Sequence, residues 1–497
     1  MHDLLPHISA QLTNVFGSIP YFMPEIYLTV LFLVVLITDL IFGCRSVKLC
    51  KIVACAGLLL VLFKDLQQVA LILDGDHVIF GNMLLLRRSA VFFKVIIDLL
   101  SFILLLNFTW DDKLKAHPKG LADLYTISIA SVLGLHLMAM AINLLSVYLA
   151  IEMVSVASYL MVAYRSDTAL STEAGLKYVL FGAASSAIML YGISLLYGFS
   201  GSLDLLNIVA QLPNVNPVSV SFALVLVMIG IGFKLSFMPM HFWVPDVYQG
   251  APTPVTAYLS TVPKIAAFAL LVNVMPLFLF SADWKGIDFS IVLSAIGIIT
   301  MIAGNFAAVL QNNVKRMLAY SSIGHTGFAL MAVVTFNLQG LSSLTYYLAV
   351  YALANIGALA LASYFSNIVD AEEVEAYKGL GLKYPVASVC FVIILISLTG
   401  IPVTAGFTGK LFVFSAVYST YEQTHSIWLL ALMITGAITT VVSLFYYLKI
   451  PLYLFLKRTE NVEVASERSY NLLVLAVVIS FLLVLLGIFP NSILKYL

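Results

Sequence analysis

Apolar runs long enough to cross a bilayer recur along the whole of this sequence, and no other feature constrains its fold so strongly. A spanning helix needs about 20 such residues. Of the 497 residues, 62% are hydrophobic and only 10% are charged, against about 25% charged in a soluble chain. Backbone groups in lipid must pair within their own segment or around a closed barrel. Continuous runs such as Ile26 to Leu36 lack the alternation of a barrel strand, so the spans are expected to be helices. The expected fold is an all-α integral membrane protein of about fourteen transmembrane helices. They are placed near 21–43, 52–72, 89–108, 123–142, 144–164, 172–199, 217–249, 254–280, 288–310, 316–336, 341–366, 384–418, 426–450 and 471–490.

Lysine and arginine orient the spans, because cytoplasmic loops collect them. Fifteen fall on the side of the loops that follow odd-numbered spans, from Arg45 and Lys48 to Arg458 and Arg468, and four (Arg87, Arg88, Lys285 and Lys495) on the other. That bias predicts both termini outside the cytoplasm. Met1 to Pro20 contains no Lys or Arg, so neither a cleaved signal nor a transit peptide is expected and the first span should be retained.

Two segments are too long for one ordinary helix. Residues 217–249 contain Pro239 and Pro245, and residues 384–418 contain Gly400, Pro402, Gly406 and Gly409. Proline removes a helix hydrogen bond and glycine relaxes the backbone, so both should be broken helices. As spans 7 and 12 they cross in opposite directions, a pattern of inverted repeats with an ion site between the halves. The expected divisions are spans 1–3 in 1–122, a first five-helix repeat in 123–280, a second in 281–450, and a last span in 451–497.

The four cysteines, Cys44, Cys50, Cys55 and Cys390, form no C-x-x-C and are too scattered to hold an iron–sulfur cluster. No G-x-G-x-x-G follows a strand and no phosphate-binding G-x-x-x-x-G-K-[ST] occurs. No cofactor site is expected in this chain, so its energy must come from an ion gradient or a partner.

Several ionisable residues stand inside the spans. Glu152 lies in span 5, Lys177 in span 6, Lys234 in span 7, Lys264 in span 8 and Lys410 in span 12. At roughly 3 kcal/mol each on insertion scales, five cost on the order of 15 kcal/mol. One reading is that they form ion pairs that fix helix register. The other is that they carry ions. Burial disfavours the charged form of an amine, so a lysine held in lipid can release and regain a proton. A glutamate at about 7 Å, with an effective dielectric of about 20, would hold that proton by roughly 2 kcal/mol. No cluster of oxygen ligands for sodium stands out, which favours the proton. Lys94 and Asp98, four apart on span 3, can pair directly, and Lys64 beside Asp65 can snorkel; both pairs read as structural. His241, at the break of span 7, and His325, in the polar stretch Ser321-Ser322-Ile323-Gly324-His325, are candidates for proton relay or simply for packing.

The run Gly232-Phe233-Lys234-Leu235-Ser236-Phe237-Met238-Pro239-Met240-His241-Phe242-Trp243-Val244-Pro245-Asp246-Val247-Tyr248-Gln249-Gly250-Ala251-Pro252-Thr253-Pro254, continued to Pro263-Lys264, resembles the signature of the antiporter-like proton-channel subunits of respiratory complex I. Lys315-Arg316-Met317-Leu318-Ala319-Tyr320-Ser321-Ser322-Ile323 and Gly400-Ile401-Pro402 through Gly406-Phe407-Thr408-Gly409-Lys410 support it. The resemblance covers about residues 120–450. Within the family, Asp246-Val247-Tyr248-Gln249-Gly250 resembles the subunit N branch; subunits L and M usually have a histidine and Glu-Ala-Pro there, and subunit M usually has glutamate at the position of Lys410.

The resemblance implies that Glu152 pairs with Lys234, that Lys177 and Lys264 connect along a central hydrophilic axis, and that Lys410 ends the second half-channel. It implies a bacterial inner-membrane complex in which NADH, FMN, iron–sulfur clusters and quinone are handled by partner subunits. The partners would be related antiporter-like subunits, small membrane subunits and the lipid bilayer, with no nucleic acid. Two rivals remain: a subunit of a multi-subunit cation/proton antiporter, and a scaffold whose buried charges only hold neighbours together.

Overall fold

The computed structural model describes residues 4–43, 46–72, 75–115, 120–165, 168–275, 286–457 and 469–491. The ends used to orient the chain, and Arg45, Lys119, Lys285, Arg458, Arg468 and Lys495 of the charge count, lie outside them. So do Cys44, residues 276–280 of the eighth expected span and 281–285 at the start of the second expected repeat.

Helix α1 (Leu4–Ser18) leads through a short turn into α2 (Met23–Phe42), and α3 (Ser46–Leu71) packs back on it. A two-stranded antiparallel hairpin, β1 (His77–Ile79) with β2 (Leu84–Leu86), precedes α4 (Arg88–Asn107) and the one-turn α5 (Asp112–Lys115).

A first series follows: α6 (Ala122–Met140), α7 (Leu144–Val162), α8 (Ala169–Ser200), the short α9 (Leu205–Gln211), α10 (Pro217–Leu235), α11 (Trp243–Gly250) and α12 (Thr253–Val274). A second series holds α13 (Phe289–Val309), α14 (Val314–Val333), α15 (Leu338–Val369), the one-turn α16 (Leu380–Lys383), α17 (Pro385–Thr399), α18 (Ala405–Thr424) and α19 (Ile427–Pro451); α20 (Tyr470–Ile488) is last. Polar residues at the starts explain where these helices begin. Asn143, Thr168, Asn216, Asn313 and Asn337 each accept a backbone N–H of the first turn, which satisfies donors a helix leaves orphaned.

The two series share several features. α8 and α15 each run 32 residues. Asn143, which caps α7, bridges to Asp204 beyond α8, and Asn313, which caps α14, bridges to Glu373 beyond α15. Both expected breaks are present. The first covers residues 236–242 and the second residues 400–404. Each first half ends on a left-handed residue, Ser236 at φ 63° and Gly400 at φ 85°. Gly406 does not extend the second break. It lies within α18, so close to the Ser397 carbonyl that a side chain would not fit.

Among the described residues, twelve helices are long and apolar enough to cross a membrane. The other two expected spans differ for physical reasons. α14 carries Lys315, Arg316, Ser321, Ser322 and His325, and span 12 is divided between α17 and α18. α12 and α15 are the most enclosed spans. They pack together where the two series meet, and that junction positions the polar groups described next.

Candidate proton path

Lys234 occupies the last turn of α10, where the helix dipole favours a cation. It is 4% exposed, and its Nζ has no hydrogen-bond partner among the described residues. The break after it leads into α11, which packs against α8 and α14. The Trp243 indole donates to the Phe233 carbonyl at 3.2 Å and stacks on Tyr178 with ring centres 4.5 Å apart. The Phe233 ring of this group lies 6.0 Å from Lys234 Nζ, and the indole adds a partner to a carbonyl at the helix end. Glu152, on α7, accepts a hydrogen bond from Ser186 of α8. Glu152 and Lys234 are not hydrogen-bonded to each other.

Lys264, on α12, is 2% exposed and turns toward α14. Its Nζ donates to the Ser322 hydroxyl at 2.7 Å, the Ser322 carbonyl at 3.1 Å and the Thr326 hydroxyl at 3.1 Å. Thr326 also donates to the Leu235 carbonyl at 3.0 Å, which ties this cluster to the end of α10. From α15, the Tyr351 hydroxyl donates to the Ser322 hydroxyl at 2.8 Å. Every one of these partners is neutral.

Lys410, on α18, is 6% exposed. Its Nζ donates to the Thr399 carbonyl at 2.8 Å, at the broken end of α17, and lies 4.9 Å from the centre of the Phe328 ring. His325 stands between Lys264 and Lys410. Its ring nitrogens lie 2.7 Å from the Tyr347 hydroxyl and 3.1 Å from that of Tyr447. Three cavities of about 10 Å³ share His325 as a wall, two with Lys410 and one with Lys264. Each has room for roughly one water molecule.

The other two expected residues stand apart. Lys177 is 37% exposed and pairs with Glu173 and Asp246, each at 2.7 Å. Asp246 in turn pairs with Arg316 at 2.6 Å. His241 lies at the break, with its Nδ1 3.3 Å from the Pro239 carbonyl.

Sequence reasoning missed several participants. Thr326, Tyr347, Tyr351 and Tyr447 are neutral and common in membrane helices; the one signal was the polar run around Ser321 and Ser322. Asp246 was visible only as part of a motif. The expected pairing of Lys94 with Asp98 is not made. Lys94 instead meets Glu25 at 2.6 Å and Asp65 at 2.8 Å, on two other helices. His136, which also joins that group, was overlooked, and Lys64 is half-buried and donates to Gln67.

A large polar cavity of about 410 Å³ opens at the other end of α11 and α14. Its walls include Asp111, Arg165, Gln249, Lys315 and Glu372, residues from the lysine-rich loops.

Comparison with known proteins gives a consistent picture. Residues 141–440 match the family described as NADH:quinone oxidoreductase/Mrp antiporter, TM. The chain is 37% identical to NADH-quinone oxidoreductase subunit N 2 of Chloroherpeton thalassium, over 94% of this chain and 91% of that one. It is 30% identical to a chain in respiratory complex I from Thermus thermophilus, with a TM-score of 0.77 over 95% of this chain and 98% of that one. A chain of the Mrp complex from Dietzia sp. shares the fold at a TM-score of 0.77, with 18% identity over 95% of both. The chain therefore belongs to the NADH:quinone oxidoreductase/Mrp antiporter membrane family, on its subunit N branch.

Proposed function

We propose that this chain is a proton-translocating membrane subunit of a bacterial NADH:quinone oxidoreductase. In this reading, electron transfer from NADH to quinone in partner subunits drives protons through its buried lysines. One observation carries the proposal. Lys234, Lys264 and Lys410 are buried with neutral partners or none, whereas Lys94 sits between two carboxylates. A lysine kept only to fix helix register would be paired, because an unpaired buried charge costs several kcal/mol. A lysine among neutral hydroxyls can exist without its charge and so can pass a proton on.

The path then runs as follows. Protons enter from the loop side, where the polar cavity opens. Lys234, with Glu152 held by Ser186 of α8, takes up the proton first. Lys264 receives it across the short interval bridged by Thr326 and the Leu235 carbonyl. Single waters in the small cavities around His325 carry it to Lys410. Lys177 with Asp246, and His241 at the break, flank this route. The lysine-rich loops face the cytoplasm of a bacterial inner membrane, and the neighbours are other membrane subunits of the complex.

A cation/proton antiporter of the Mrp type shares the fold and is the alternative. The test is to purify the assembly containing this chain and measure NADH oxidation and proton uptake in vesicles. The proposal expects both, with fewer protons per electron pair in Lys410→Ala. An assembly that exchanges cations for protons without oxidising NADH would support the alternative.

A further inference from the structure

The first spans bury a second group of charges, which the lysine path does not use. α2, α3, α4 and α6 bring Glu25, Asp65, Lys94, Asp98 and His136 to one place, every side chain 0% exposed. Lys94 Nζ lies 2.6 Å from Glu25 Oε1 and 2.8 Å from Asp65 Oδ1 and donates to Gln68 at 2.7 Å. The His136 ring stands between two carboxylates, with Nδ1 3.1 Å from Glu25 Oε1 and Nε2 3.0 Å from Asp98 Oδ1. Asp65 Oδ2 is 3.9 Å from the same Nε2.

The charges do not balance. Three carboxylates face one ammonium and one imidazole. A neutral imidazole has a single N–H and cannot donate to both of its carboxylate neighbours. Making it cationic still leaves one negative charge in excess. Such a charge, buried without a partner, costs several kcal/mol, and buried groups take up a proton instead. The oxygens to receive it are present: Glu25 Oε2, Asp65 Oδ2 and Asp98 Oδ2 are buried and have no hydrogen-bond partner. Among the described residues no other cation is close. On α12, which packs against α4 and α6, Tyr258 is bonded to Ser131 and Lys264 to α14. A metal ion is not the missing charge, because the Lys94 ammonium already sits between Glu25 and Asp65.

We propose that these five residues form a proton-binding site separate from the lysine path, which holds one exchangeable proton shared between Asp65 and Asp98. Glu25 stays ionised, because its Oε1 meets both Lys94 and His136. The inference does not depend on the proposed direction or coupling of proton flow.

Infrared difference spectroscopy of the assembled complex, unmodified minus variant at neutral pH, tests it. The unmodified complex should show the carbonyl stretch of a neutral carboxyl, and heavy water should shift it. Asp65→Asn and Asp98→Asn should each remove that band. Glu25→Gln should remove it as well, although Glu25 does not carry the proton, because losing any one negative charge balances the cluster. A spectrum in which none of the three variants loses a neutral-carboxyl band would overturn the proposal and leave a fixed ion-pair network. Failure of all three to assemble would also overturn it, since relieving an excess charge without changing shape should be tolerated.

Discussion

Thr326 donates to the carbonyl of Leu235 at 3.0 Å, one residue beyond Lys234, while accepting from Lys264 at 3.1 Å. A single hydroxyl thus joins the broken helix of the first series to the second. Thr326→Val keeps the shape and removes both bonds. A lost hydrogen bond to a charged group is worth about 1.5 kcal/mol, so proton pumping should slow about tenfold while assembly holds. Vesicle pumping rates, with the chain quantified in the membrane, measure this.

His325 walls all three of the small cavities between Lys264 and Lys410. His325→Leu should fill that space with an apolar group and stop proton transfer into the second half of the path. Tyr347→Phe and Tyr447→Phe each remove only one bond that orients the ring. Each should therefore reduce pumping by roughly two- to tenfold. Equal losses in all three variants would count against a relay at the imidazole.

Trp243 is expected to act through packing. It is 3% exposed, stacks on Tyr178 and caps the Phe233 carbonyl. Trp243→Ala should destabilise the chain by about 3–5 kcal/mol, read as a lower unfolding temperature of the assembled complex. Trp243→Phe keeps most of the stacking and should retain most of that stability.

The ion pairs around Asp246 are half-exposed, and such pairs contribute about 0–1 kcal/mol each. Asp246→Asn should leave assembly unchanged. If Lys177 delivers protons, Lys177→Met should lower the pumping rate more than Asp246→Asn does, since only the former removes the amine that would carry the proton. Matched losses would assign both residues to structure alone.

Much of the fold was legible because lipid leaves the backbone few choices. Twelve of the fourteen expected spans coincide with helices long and apolar enough to cross a membrane, and the prolines and glycines marked both breaks. The limits of the second break were not legible. Gly406 and Gly409 looked like further flexibility, but they sit inside α18 where the chain packs closely. The candidate site was legible as buried lysines without carboxylate partners, at Lys234, Lys264 and Lys410. It was not legible where partners come from distant helices. Four-residue spacing suggested that Lys94 would meet Asp98, yet packing turned it to Glu25 and Asp65. Lys177 read as buried because its span is apolar; only the fold shows that it faces Asp246 at a half-open edge. Neutral hydroxyls such as Thr326 carry no hydropathy signal at all.

The most direct test of the account is the number of protons pumped per NADH oxidised by the assembled complex carrying Lys234→Ala. The account predicts an intact complex whose pumping is lost or sharply reduced. Undiminished pumping from a fully assembled Lys234→Ala complex would contradict it.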